Sequence, residues 1–214
     1  MARYGAGLRL FATSCVTAAA ALIASEAETY PHVWIRVDCA FVFDDRRQPV
    51  GFTETWVFDE MYSAFAVVGA PRDRNGQSTS AGLSSLAGVI VAASKDQGHF
   101  TIATVGGRPV ALSEPKDVEG AWGENQKLSV RFRMDFQEPV RTGGLPLRIE
   151  VHDADLYADF QFNAALPSAG LPPNCSVRLD DGQGALPSDP QAVEQALING
   201  PLLTLASGIE LTCR

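Results

Sequence analysis

The sequence predicts a mainly β (α+β) fold: an antiparallel β-sandwich-like domain with two or three short helices. Three observations lead there. Apolar residues alternate with period two in segment after segment. Polar turn clusters rich in Asp, Asn, Gly and Pro separate those segments. Helical spacing is confined to a few short stretches, without the βαβ alternation of a parallel sheet.

The first strand is expected over residues 33–43, where Val33, Ile35, Val37, Cys39, Phe41 and Phe43 fall on one face. The turn DDRRQP leads into a second strand at 50–58, so the two read as a hairpin. Asp59 can cap a short helix whose buried stripe would be Met61, Phe65 and Val68 at i, i+4 and i+7. After the loop APRDRNGQSTS, residues 81–94 read as a second helix, with Leu83, Leu86, Val89 and Ile90 on one side. Short strands are expected at 99–105 and 109–112. The clearest strand is KLSVRFRMDF, with Leu128, Val130, Phe132, Met134 and Phe136 facing the core. Strands at 145–151 and 157–162 flank the polar turn HDAD. Another is expected at 175–179, then a short helix at 190–198 and a last strand at 209–213.

The first 27 residues stand apart. Arg3 and Arg9 precede the run LFATSCVTAAAALIA, which is apolar but shorter than the roughly 20 residues of a membrane span. Small residues around Glu26 suit cleavage after Ala27. Residues 1–27 are therefore expected to be a signal peptide and 28–214 a single periplasmic domain, with no direct membrane insertion after cleavage. The mature 187 residues would carry a net charge of −9. That balance argues against nucleic acid or anionic lipid as partner.

Three cysteines remain after cleavage. Cys39 occupies a core position of the first strand, as a small apolar thiol often does. Cys175 and Cys213 lie in the polar C-terminal third and are expected to form a disulfide, which an oxidising compartment preserves.

Catalytic signatures are scarce. The chain has no GxSxG elbow, P-loop, HExxH or CxxC. Its histidines are His32, His99 and His152. Acids cluster at Asp59-Glu60 and at Asp153, Asp155 and Asp159, where caps and solvated turn groups are the ordinary explanation.

Four segments, PHVW, TWVFDEMYSAF, VHDADLYADF and PPNCSVRL, occur in an order that resembles one bacterial exported family, the domain of unknown function 1007. Its members are often labelled the periplasmic component of an ABC-type transport system. The resemblance implies a non-catalytic accessory to nickel, cobalt or zinc transport, with a membrane metal permease as partner. It also implies a metal site at the mature N-terminus, built in the family around His-Pro-His with an acid four residues on. Two imidazoles at that spacing lie about 7 Å apart on one strand face.

This chain keeps Pro31 and His32 but carries Tyr30 and Arg36 at the other two positions. A single imidazole beside a guanidinium is a poor site for a divalent cation. The ligands would have to be His32 with Asp59, Glu60, Asp153 and Asp159, and Tyr30 and Tyr62 close by. An alternative leaves His32 on the surface and the acids as caps. The family's EF-hand-like loop is also altered: Asp73, Asn75 and Gly76 remain, but Pro71 and Gly82 replace both end ligands, so no calcium is expected. Two further readings stay open: a β domain acting through protein contacts with its metal site decayed, and a hydrolase using the clustered acids. At 187 residues, without βαβ alternation, the chain does not suit a two-lobed clamshell receptor.

Overall fold

A computed structural model describes residues 33–76, 78–123, 125–155, 157–164, 170–180 and 207–214. Ten strands form two five-stranded sheets. The first has the order β5-β6-β2-β1-β8, and the second β4-β3-β7-β10-β9. Their bounds are β1 Val33–Phe43, β2 Pro49–Phe58, β3 Thr101–Val105, β4 Arg108–Val110 and β5 Lys116–Trp122. The others are β6 Leu128–Asp135, β7 Leu147–Val151, β8 Ala158–Phe162, β9 Cys175–Asp180 and β10 Gly208–Cys213. Every pairing is antiparallel except β1 with β8. Two α-helices, α1 Glu60–Ala66 and α2 Ser80–Ala93, and two short 3-10 segments complete the described chain.

The core follows the period-two pattern. Val33, Ile35, Val37 and Cys39 of β1 are buried, as are Leu128, Val130, Phe132 and Met134 of β6. Leu147, Ile149 and Val151 of β7 and Ile209 and Leu211 of β10 supply the second sheet. Trp56 sits among Phe132, Phe160 and Phe100, with ring centroids 4.9, 5.4 and 6.2 Å away. Edge-on contacts of this kind add to the area the rings bury. On the outer face of the second sheet, Arg148 pairs with Glu150, Asp180 and Glu210, and Arg178 also reaches Glu210. Cys175 and Cys213, opposite each other on β9 and β10, form the expected disulfide, and Cys39 is a free buried thiol.

Three expectations are corrected. Met61, Phe65 and Val68 are 67%, 78% and 71% exposed, so α1 does not bury that stripe. It turns about one residue further, burying Ser63 and packing Tyr62, Ala66 and Val67 against the core. Ser63 decides the rotation: its hydroxyl donates to the Phe58 carbonyl (3.3 Å) and accepts from the Leu128 amide (2.9 Å). Val89 of α2 is likewise exposed, while Leu83, Ala87 and Val91 are buried. Third, residues 99 and 100 are not strand but the end of a 3-10 segment, Lys95–Phe100.

Strand β5 had no clear signal in the sequence. A bulge between Lys116 and Glu119 breaks its alternation, with Asp117 at φ 52°. Its packing residue is Gly120, where a Cβ would lie 2.1 Å from the Leu83 carbonyl oxygen. The helix thus seats on bare backbone. The helix expected at 190–198 lies outside the described residues.

Candidate functional site

The acids singled out by the sequence gather around the start of β1. On one side, β2 ends at Phe58 and Asp59 caps α1. The Asp59 carboxylate accepts from the Tyr62 amide at 2.9 Å and from the Trp34 amide at 3.1 Å. Its own amide donates to the Trp34 carbonyl at 2.9 Å. One side chain therefore ties the new helix to the first turn of the first strand. This double use explains why an Asp stands here, beyond its general preference for the cap position.

On the other side, β8 runs parallel to β1, with Ala158 opposite Val33 and Asp159 opposite Trp34. The turn before β8 is held by Asp153, a buried residue. Its two oxygens accept from the amides of Asp155 and Ala158, each at 3.0 Å. The Val33 amide donates to the Tyr157 carbonyl at 3.3 Å. Asp59 and Asp153 thus clamp the backbone on either flank of the strand that follows His32 in sequence.

The remaining candidates are less engaged. Asp159 accepts from Nε2 of the Gln161 side chain at 2.7 Å. Glu60 points outward, 3.9 Å from Lys127. Tyr62 stacks on Phe58, centroids 4.7 Å apart. Burial, with the Tyr157 phenol and the Asp59 carboxylate nearby, pushes the Tyr62 hydroxyl up. Arg36 lies on the exposed face of β1 with Trp34. His32 and Tyr30 lie outside the described residues. Among the described residues, no three His, Cys, Asp or Glu side chains are grouped to hold a metal.

His152 is a residue the sequence reading passed over as a ligand. Its Nδ1 is buried and has no hydrogen-bond partner among the described residues, immediately before Asp153. A buried ring nitrogen without a partner calls for water or a cation. It is the one observation near the acidic turn that independently suits a metal ligand set.

A further electrostatic anomaly lies deeper. Glu54 of β2 is fully buried, directly opposite Cys39 of β1. The Trp56 Nε1–H donates to its Oε2 at 2.8 Å, and Thr101 Oγ1 of the opposing sheet is 3.3 Å from Oε1. Burial pushes Glu54 up to about 8, against these two contacts, which favour the carboxylate. In its neutral form the acid can donate to Thr101 while Thr101 donates to the His99 carbonyl at 2.9 Å. The network is then fully satisfied without a cation. Cys39 is pushed well above its ordinary value by its own burial, then by Glu54 and Asp38, and so is an inert thiol.

Residues 15–200 match the family model described as a protein of unknown function, DUF1007. The chain belongs to the DUF1007 family. No curated protein matches it. The family match extends across both flanks of β1 described above, so the Asp59 clamp, the Asp153 turn and buried Glu54 all lie inside the matched region. Among the described residues, no helix is long and apolar enough to cross a membrane.

Proposed function

We propose that this DUF1007 chain is an exported, periplasmic and non-catalytic accessory of a divalent transition-metal transport system. It would capture nickel, cobalt or zinc weakly and hand it to a membrane permease. One observation carries the reading: Asp59 and the Asp153 turn flank the first residues of β1, the strand that follows His32 in the chain. Each clamping oxygen accepts one backbone N–H and keeps a second lone pair. A neutral imidazole and carboxylates together make a mixed nitrogen and oxygen set that suits these metals. Arg36, on the exposed face of the same strand, lowers the affinity. Weak binding fits a protein that must release its cargo.

The test is calorimetric titration of the exported chain with nickel, cobalt and zinc, beside His32→Ala and Asp159→Asn variants. One-to-one binding lost in His32→Ala supports the reading. Binding that ignores His32 sinks it.

A second reading, action through protein contacts, is favoured by the exposed Met61, Phe65 and Val68 of α1. Apolar side chains grouped on one helix face are a common feature of contact surfaces. A photo-crosslinker at position 65 that captures the permease, in a chain without metal affinity, would support it over the first.

A further inference from the structure

We infer a binding site for a short apolar peptide with free termini, in a cleft of about 500 Å³ where the β3–β4 turn meets the segment between β6 and β7. Strand β7 begins beside this cleft and the Asp153 turn follows its other end, so the site is separate from the start of β1.

The walls of the cleft are tied in place by the fold itself. On one side the Gly106 amide donates to the Pro146 carbonyl at 3.0 Å. On the other the Gln137 amide donates to the Ala111 carbonyl at 2.9 Å, and Gln137 Nε2 donates to the Leu112 carbonyl at 2.7 Å. Gly106 has φ 54°, and a Cβ there would fall 2.8 Å from Leu145 Cδ1. Glycine thus supplies the left-handed turn and lets Leu145 close against it. Val105, Val110 and buried Val140 give an apolar lining, and Leu145 stays 53% exposed at the lip. The volume lies within the roughly 300–1,000 Å³ of pockets that hold small organic ligands. A cleft that is already formed loses little free energy to ordering when a ligand enters.

Charge identifies the ligand. Arg108, Glu138 and Arg141 all line the cleft. Among the described residues none of the three forms an ion pair or a side-chain hydrogen bond, with each other or with any other group. Arg131, Arg133, Arg148 and Arg178, by contrast, each have an acidic partner. The chain has 25 acidic residues to 17 Lys and Arg, so two unpartnered guanidiniums on one apolar cleft are not the overflow of a basic surface. Glu138 and Arg141 stand on either side of buried Val140 in the chain, with Pro139 restricting the backbone between them. One short anchored stretch therefore presents both signs of charge beside the apolar lining. A ligand that satisfies all three features carries a carboxylate, an ammonium group and apolar side chains. Its terminal carboxylate accepts a forked pair of hydrogen bonds from a guanidinium, and its terminal ammonium donates to Glu138. Two or three extended residues span about 7–11 Å, a length suited to a cleft of this volume.

The experiment is calorimetric titration of the full-length chain with trileucine, in excess chelator so that no metal at the start of β1 contributes. One-to-one saturable binding is expected. C-terminal amidation of the peptide should weaken it about tenfold or more, as should Arg108→Gln with Arg141→Gln, the loss of one charge-assisted contact. In that double variant amidation should make no further difference. N-terminal acetylation and Glu138→Gln should show the same mutual dependence. All three side chains are on exposed residues, so these variants keep the fold. No saturable binding of trileucine overturns the inference. Equal affinity for the amidated or acetylated peptide overturns it too, as does free leucine binding as tightly as trileucine.

Discussion

Replacing Glu54 by Gln should abolish most of the protein's loss of stability between mildly acidic and mildly alkaline pH. Glu54 is held near 8 in the folded chain, against an ordinary value of 4.5. Below 4.5 both states are protonated and the group has no effect on the balance. Between the two values the unfolded chain has released its proton while the folded chain keeps it. The native state therefore binds more protons, and stability falls as pH rises through this window. The fall levels off once the folded acid also ionises, above about 8. A gap of this size corresponds to something on the order of 4–5 kcal/mol, at 1.36 kcal/mol per unit. Domains of this kind have only about 5–15 kcal/mol in total, so the effect would decide whether the fold survives alkaline conditions.

Gln is the right probe because it imitates the neutral acid. Its carbonyl can accept from Trp56 Nε1, and its amide can donate to Thr101 Oγ1, the two contacts seen for Glu54. Urea unfolding would be followed by tryptophan fluorescence at about pH 5 and about pH 8.5. Buried Trp56, the donor to Glu54, is the natural reporter. The wild type should lose several kcal/mol more than Glu54→Gln across that range, and the variant should be the more stable protein at the alkaline end. Other titrating groups contribute equally to both proteins and cancel in the difference. Parallel profiles for the two would refute the assignment of a neutral, buried acid.

Two further outcomes test the packing. Ser63→Ala should cost about 1–3 kcal/mol in the same assay, because it leaves the buried Leu128 amide without its acceptor. Phe65→Ser should change stability by less than about 0.5 kcal/mol, as expected for a surface position; a large loss would restore the buried stripe that the structure moved away from Phe65.

Strand positions were legible in the sequence wherever one face is buried. KLSVRFRMDF and VWIRVDCAFVF carry their own register, since a one-residue slip would turn every apolar side chain outward. Helix rotation was less legible. On α1 both Met61–Phe65–Val68 and Tyr62–Ala66 with Ser63 have helical spacing, and apolar character favours the wrong set. The choice is made by hydrogen bonds from Ser63 to β6 and to the end of β2, which are long-range facts. Strand β5 was hidden because its key contact is the absence of a side chain at Gly120. His99 read as strand because nothing local announces three successive left-handed residues, of which only Gly98 adopts that geometry easily.

The candidate site was legible as composition and not as role. An Asp at a helix start or a tight turn has one sequence signature whether it caps backbone or binds a cation. Here Asp59 and Asp153 cap, with every carboxylate oxygen on an N–H. Capping and ligation compete for orientation but not for the same lone pair, so the two roles are compatible at modest affinity. Variants of these two acids would therefore lose stability and metal together, which identifies neither role. The decisive substitutions are those at residues without a structural task of this kind. At the start of β1 that points to Asp159, whose carboxylate accepts from the Gln161 side chain and, among the described residues, from no backbone N–H. A loss of binding in Asp159→Asn with unfolding unchanged would assign chemistry to the turn, and unchanged binding would leave its acids as architecture.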